Sequence, residues 1–245
     1  MLGGLGDRFE LVMPDARGTG ESPPPESDDG YGFDQLADDI ESLRTARSLE
    51  RLTLLAHSAA CTTALHYTAF HSTRLEALVL VAPGRRLYPE IEDDTEPILR
   101  QRHSEPQIAA AIDALDRLTA GPPQDEVPAL LDALTPAFYA DWSERQRTHA
   151  EAENGQANQS AGQLFGTPDI DVAVLRDRLS EVEAPVLVIT GSKDAATGIL
   201  PGAAWAACFR KGEQLTIDSS GHYPWVDQPE RFRHAVVGFL SRPIA

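Results

Sequence analysis

Three residues that lie far apart in the sequence have the types needed to activate a hydroxyl nucleophile: Ser58, Asp194 and His222. A serine hydroxyl is a weak nucleophile near neutral pH and needs a base, such as an imidazole, within hydrogen-bonding distance. A carboxylate must then hold the imidazole in the right tautomer and stabilise its cation. If the fold brings these three residues together, they predict acyl transfer through a covalent intermediate.

The serine candidate lies between a strand pattern and a helix pattern, within residues 51–70. The apolar run before it is too short for a helix and suits a buried strand. A sharp strand-to-helix turn of this kind, a nucleophile elbow, holds a serine hydroxyl at the top of a sheet. Such a turn needs small residues two positions away on either side, and Ala56 and Ala60 meet this need where glycine is more usual. The alternative for this stretch alone is a serine that caps the helix.

The other two candidates each follow a predicted strand. The apolar run 185–190 leads to Asp194, and the run 214–217 leads to His222. Because parallel strands present their carboxyl ends at one edge of a sheet, the loops that follow them can meet there. Each residue alone also has a plain explanation, Asp194 as a turn former and His222 as a residue at a helix entry.

Strand patterns alternate with helix patterns over much of the chain. Further strands are predicted at Phe9–Met13 and Ala77–Val81, and amphipathic helices at residues 33–43 and 229–240. This alternation predicts an α/β fold with a mainly parallel sheet and helices on both faces.

The pattern changes in the middle of the chain, where strand signals disappear. Amphipathic segments at residues 107–118, 127–134 and 137–152 alternate with breaks that contain proline. We therefore predict three parts, which are residues 1–84 (first part of the α/β core), 85–180 (helical cap) and 181–245 (second part of the core).

Composition narrows the possible partners and the compartment. The 245 residues carry a net charge of −17, which argues against nucleic acid or an anionic membrane as a partner. Cys61 and Cys208 form neither a disulfide framework nor a metal-ligand pattern, so we expect a reducing, cytoplasmic compartment and no metal or other cofactor. No leader pattern and no apolar run long enough to span a bilayer is present. The sequence predicts no particular oligomeric state.

The chain resembles the α/β-hydrolase family, and within it the prolyl-iminopeptidase-like branch. The resemblance extends over nearly the whole chain and is weak in the predicted cap. The segments that carry it are Val12–Ser22, Ala56–Ala60, Val188–Asp194 and Gly221–Phe232. The order serine, aspartate, histidine along the chain is also that of this family.

Matched position by position, the resemblance implies that Ser58 is the nucleophile, His222 the base and Asp194 the acid. It also implies that the backbone N–H of Ala59 contributes to an oxyanion hole. The expected substrate is a small molecule bound beneath the cap.

The sequence departs from the family pattern at its beginning. The family fold starts with three strands that should precede Phe9, so the resemblance implies an N-terminally truncated fold. A loop rich in His and Gly, which supplies the second oxyanion donor, is missing with them, and Gly3–Gly6 lies too late in the strand order to replace it. The third of these strands should lie between the strand at Phe9 and the elbow strand.

Several other residues are weaker site candidates. In this family the histidine before the serine, here His57, serves packing and points away from the pocket. Asp15 and Arg17 are expected to form a structural pair, and Asp171 is a second candidate acid, less favoured because it precedes a strand. Five aromatic residues could line an apolar pocket under the cap or belong to the core: Phe138, Tyr139, Trp142, Phe165 and Trp225. The remaining histidines show no ligand spacing.

The leading functional hypothesis is a serine hydrolase that cleaves a small ester or amide. A peptidase of the prolyl-iminopeptidase type would need cap carboxylates to hold a free amine, and Glu144, Glu151 and Glu153 are available for this. A carbon–carbon hydrolase or lyase using the same residues stays open. The alternatives outside enzyme function are a non-catalytic ligand-binding homologue and an inactive truncated fragment without the oxyanion loop.

Overall fold

A computed structural model describes residues 2–156 and 171–242. In these residues four parallel strands form one sheet, and their spatial order is also their order along the chain. They are β1 (Leu52–His57), β2 (Leu75–Val81), β3 (Val186–Gly191) and β4 (Gly212–Ile217). The four corresponding sequence predictions are confirmed, and the ends of β2, β3 and β4 differ from the predicted ends by at most two residues.

Helices precede, connect and follow these strands. They are α1 (Phe33–Ala46), α2 (Ala60–Phe70), α3 (Thr95–Gln101), α4 (Pro106–Thr119), α5 (Val127–Leu134), α6 (Glu144–Gln156), α7 (Val172–Ser180), α8 (Leu200–Ala207), α9 (Pro224–Asp227) and α10 (Pro229–Leu240). Short 3₁₀ helices occur at Leu2–Asp7, Asp28–Tyr31, Ser72–Arg74 and Thr135–Phe138. None of the described helices is both long and apolar enough to cross a membrane.

The sheet separates two apolar layers, and β2 shows how. Its alternate side chains face opposite sides, as the two-residue period of a strand requires. Leu78 and Leu80 pack in the layer that contains α2, while Val79 and Val81 pack in the layer that contains Phe232 of α10. Because both faces are covered, β2 is an almost continuous apolar run, which is the pattern of a parallel strand buried on both sides.

All described elements between β2 and β3 are helical, as the sequence predicts. The predicted helix over 137–152 is interrupted, because Tyr139 has an extended backbone and α6 begins only at Glu144. The last of these helices, α7, buries Leu175 and Leu179 in the same apolar layer as α2. The division of the chain into a core and a cap remains a prediction.

The predicted strand at Phe9–Met13 is wrong, since these residues form no regular structure. A strand needs a neighbour that accepts its backbone hydrogen bonds, and among the described residues β1 pairs only with β2. Residues 9–16 instead line one side of a groove of about 1550 Å³, and β1 lines another. Val12 and Met13 are therefore partly exposed, at 43% and 61%.

Candidate active site

Ser58 lies in the tight turn that joins β1 to α2. Its φ angle is +53°, in the left-handed region that a residue with a Cβ rarely adopts. Its backbone N–H donates a 2.9 Å hydrogen bond to the carbonyl of Val81, which continues the ladder between β1 and β2 beyond the end of the strand. The predicted elbow geometry is thus present, and neighbouring structure holds its strained residue in place.

Ala59 directly follows Ser58 and is the residue before the first turn of α2. Its backbone N–H therefore lies at the positive end of the helix dipole, where negative charge is favoured. Both Ser58 and Ala59 line the large groove. A developing oxyanion beside Ser58 would lie near this helix end.

Asp194 and His222 are brought into direct contact. His222 Nδ1 lies 3.1 Å from Asp194 Oδ2, and both side chains are buried, with 5% and 0% of each residue exposed. The backbone N–H groups of Ala196 and Thr197 donate to Asp194 Oδ1 at 2.8 and 3.0 Å, and the Thr197 hydroxyl donates to Oδ2 at 2.7 Å. Since a carboxylate only accepts, His222 Nδ1 is the protonated nitrogen of the neutral ring.

The charge of Asp194 is well supported despite complete burial. Burial alone would raise the pKa of this carboxyl, but the attraction and hydrogen bond of His222 and the donors of Thr197 outweigh it. The pKa of Asp194 therefore lies below its ordinary value. The carboxylate is ionised near neutral pH and can stabilise a positive charge on the His222 ring.

The serine side of the site is connected to His222 through His57. Nε2 of His57 donates a 2.9 Å hydrogen bond to the backbone carbonyl of His222, and the two ring centroids are 4.5 Å apart. Burial, together with the nearby ring of His222, lowers the pKa of His57 to about 3, so His57 stays neutral. In the described residues no hydrogen bond joins the Ser58 hydroxyl to the His222 ring, a contact that often forms only when substrate is bound.

The loop that carries His222 packs closely against residues 137–140, which we call the linking segment. The backbone N–H of His222 donates a 2.7 Å hydrogen bond to the carbonyl of Phe138. Gly221 makes this approach possible, because a Cβ at that position would lie only 2.4 Å from the same carbonyl oxygen. The residue before the histidine must therefore be glycine for steric reasons.

Sequence reasoning missed the contacts that hold this loop. The packing role expected of His57 is consistent with its edge-on contact with Trp225 at 4.6 Å, but its hydrogen bond to the His222 carbonyl was not foreseen. Neither the Phe138 carbonyl nor the carboxylate of Asp227 was a candidate. A backbone carbonyl can be supplied by any residue type, so the sequence does not show which residue accepts. The glycine before His222 was the one feature of the sequence that indicated a close approach of another backbone.

The weaker candidates occupy positions away from this contact. Asp171 caps the N-terminus of α7 by accepting from the N–H groups of Ala173 and Val174, so it precedes a helix rather than a strand. Arg17 pairs with Asp39 of α1 and not with Asp15, which corrects the expected pair.

The aromatic candidates form an apolar cluster beside His222. It contains Phe138, Tyr139, Trp142 and Trp225 together with Tyr223. Phe165 lies outside the described residues. No group of three or more potential metal ligands is found within residues 2–156 and 171–242.

Comparison with known proteins agrees with this architecture. A family model described as the alpha/beta hydrolase fold matches residues 2–229, so the chain belongs to the α/β-hydrolase family. An uncharacterised protein of Mycobacterium tuberculosis is 27% identical over 255 aligned positions, which cover 97% of this chain and 69% of that protein.

Two solved structures illustrate the likeness of the fold. An esterase from Exiguobacterium antarcticum superposes with a TM-score of 0.67 at 20% identity, covering 93% of this chain and 80% of that one. An enol-lactonase from Burkholderia xenovorans LB400 gives a TM-score of 0.66 at 23% identity, covering 93% and 79%. At these identities the likeness concerns the fold.

Proposed function

We propose that this protein is a serine hydrolase that cleaves a small ester or amide through an acyl-enzyme. In this proposal Ser58 attacks the carbonyl carbon, His222 accepts the hydroxyl proton, and Asp194 stabilises the resulting imidazolium. The leaving group takes that proton when it departs. Water, activated by the same imidazole, then releases the acid and regenerates Ser58.

The observation that carries the proposal is the buried pair of Asp194 and His222, which is joined to the strained turn at Ser58 through the neighbouring His57. The 3.1 Å contact at Nδ1 leaves Nε2 of His222 as the nitrogen available to a hydroxyl. The backbone N–H of Ala59, at the start of α2, is the proposed oxyanion donor. The loss of one such donor costs about 10²–10³ in rate, so an enzyme with Ala59 as its sole donor would be slow.

The direct test is covalent labelling of the full chain with a fluorophosphonate, followed by mass spectrometry of the modified peptide. We expect the label on Ser58, together with hydrolysis of 4-nitrophenyl acetate that is lost in Ser58→Ala. Ser48 provides a matched control, because it is an exposed serine that also has a positive φ angle, of 55°. Ser48→Ala should keep both labelling and turnover. Absence of labelling at Ser58 in the folded protein would favour a non-catalytic ligand-binding protein instead.

A proline iminopeptidase is the narrower form of this proposal, and one contact supports it. Glu153 of α6 accepts a 3.1 Å hydrogen bond from the hydroxyl of Tyr223, the residue after His222. A carboxylate in this position could hold the free amine of an N-terminal proline. Hydrolysis of proline 4-nitroanilide, with a raised KM in Glu153→Gln, would support it. Turnover of the nitrophenyl ester without any cleavage of the anilide would leave the esterase as the better description.

A further inference from the structure

The carboxylate of Asp227 joins three separate parts of the chain close to His222. Its Oδ2 accepts from the backbone N–H of Gly221 at 2.7 Å and from that of Ala140 at 2.9 Å. Its Oδ1 accepts from the side-chain amide of Gln146 at 3.0 Å. The residue thus connects the loop before His222, the linking segment and α6 from its own position at the end of α9.

The linking segment is in turn attached to the loop that carries Asp194. The carbonyl of Ala140 accepts from Lys193 Nζ at 3.3 Å, and Lys193 directly precedes Asp194. The buried guanidinium of Arg102 donates to the carbonyl of Ala137 at 3.3 Å and lies 3.5 Å from that of Lys193. One short segment therefore contacts both loops whose side chains form the buried pair.

From these contacts we infer that Asp227 is a positioning residue, which sets the place of the His222 ring relative to Ser58. The inference rests on the proposed hydrolase function. Asp227 does not touch the ring. It acts on the backbone of Gly221, one residue earlier, and on the linking segment that accepts the His222 N–H through Phe138.

A purely structural role is the competing explanation, and what favours positioning is where the contacts lie, at the residue before His222 and on the segment that accepts the His222 N–H. A partly buried carboxylate is a costly means of joining backbone segments, because the charge must be desolvated. Burial does raise the pKa of Asp227, although the donors Gly221, Gln146 and Ala140 and the charge of Arg102 oppose this. The positioning contacts need one oxygen atom that accepts from both backbone N–H groups, and an amide oxygen in the same place can do this as well.

The test compares three variants of Asp227, using 4-nitrophenyl acetate and counting active sites by fluorophosphonate titration. Asp227→Ala removes both backbone contacts, and we expect kcat per titrated site to fall about 100-fold with KM nearly unchanged, as for a displacement of about 1 Å. Asp227→Asn keeps an oxygen for Gly221 and Ala140, so kcat should stay within about fivefold of wild type, as expected when the positioning contacts are kept. Asp227→Glu keeps the charge but shifts the oxygens, so its kcat should fall about tenfold or more.

Asp171→Ala is the matched control, because Asp171 also accepts from two backbone N–H groups but lies at the start of α7. It should lower the melting temperature and leave kcat per titrated site unchanged. A wild-type kcat in both Asp227→Ala and Asp227→Glu would overturn the inference. If Asp227→Ala does not fold, Asp227→Glu decides alone. A wild-type protein without labelling or turnover would instead contradict the proposed function.

Discussion

Replacing Gly221 by alanine would test how closely the His222 loop must approach the linking segment. The added Cβ would lie 2.4 Å from the carbonyl oxygen of Phe138 and 2.9 Å from Tyr139 Cα. Both are backbone atoms, so no rotation of a side chain relieves the contact. Ordinary contact begins at 3.4 Å, and the two backbones must therefore separate by about 1 Å.

That separation should break the 2.7 Å hydrogen bond from the His222 N–H to the Phe138 carbonyl. Loss of a buried hydrogen bond costs about 1–3 kcal/mol, and a 1 Å misplacement of a reacting group costs about 100-fold in rate. We expect kcat/KM for 4-nitrophenyl acetate to fall about 100-fold. The melting temperature, followed by circular dichroism, should fall by about 2–4 °C for each kcal/mol lost.

Gly238→Ala is the control, because Gly238 lies in α10 and an added Cβ there meets no atom within 4 Å. This change should leave kcat/KM unaltered and stabilise the helix by about 0.5–1 kcal/mol. If Gly221→Ala had the kcat/KM and the melting temperature of wild type, the close packing of the His222 loop would not matter for catalysis. Such a result would mean that the contacts of Gly221 do not position His222.

Three further predictions concern charge. Asp194→Asn should lower kcat by about 10³–10⁴, because the amide favours the wrong tautomer of His222. In urea unfolding, the Asp194→Asn protein should lose less stability than wild type as the pH falls below about 4. The lowered pKa of Asp194 stabilises the wild-type fold at higher pH, and that contribution is lost on acidification. The pKa of His57 is lowered to about 3, so between pH 6.5 and 3 the unfolded chain binds a proton at this histidine and the folded chain does not. The wild-type protein should therefore lose at most about 1.4 kcal/mol of stability per pH unit in this range for this reason, and His57→Gln should reduce that loss. Arg17→Ala removes a partly exposed ion pair with Asp39 and the hydrogen bonds from Arg17 to the carbonyls of Gly30 and Gln35, so it should cost about 1–3 kcal/mol in thermal unfolding, with unchanged turnover.

Much of the fold is predictable because its signals are local. The run Ala77–Val81 is apolar on both faces, which identifies a buried strand without knowledge of its neighbours. Ser58, Asp194 and His222 each follow a predicted strand, and parallel geometry then places them at one edge of the sheet, where all the strands end. The contact between Asp194 and His222 can therefore be predicted from the strand order alone.

Residues 9–13 show where local signals fail. Their apolar composition fits a strand as well as that of β1 does, yet a strand exists only where another strand accepts its hydrogen bonds. The residues of the segment do not determine whether such a partner strand is present. In the structure a groove separates these residues from β1, so the same composition gives an irregular chain whose apolar side chains line the groove.

The environment of His222 explains why its positioning contacts could not be predicted from the sequence. Its N–H donates to the carbonyl of Phe138, its carbonyl accepts from His57, and its Nδ1 contacts Asp194. Two of these three partners act on the histidine backbone, and a carbonyl acceptor can be supplied by any residue type. Within the described part of the chain, Nε2 is the one polar atom of His222 without a hydrogen-bond partner. If His222 is the general base, as proposed, a histidine held at each of its other polar atoms would present Nε2 to Ser58 at little entropic cost.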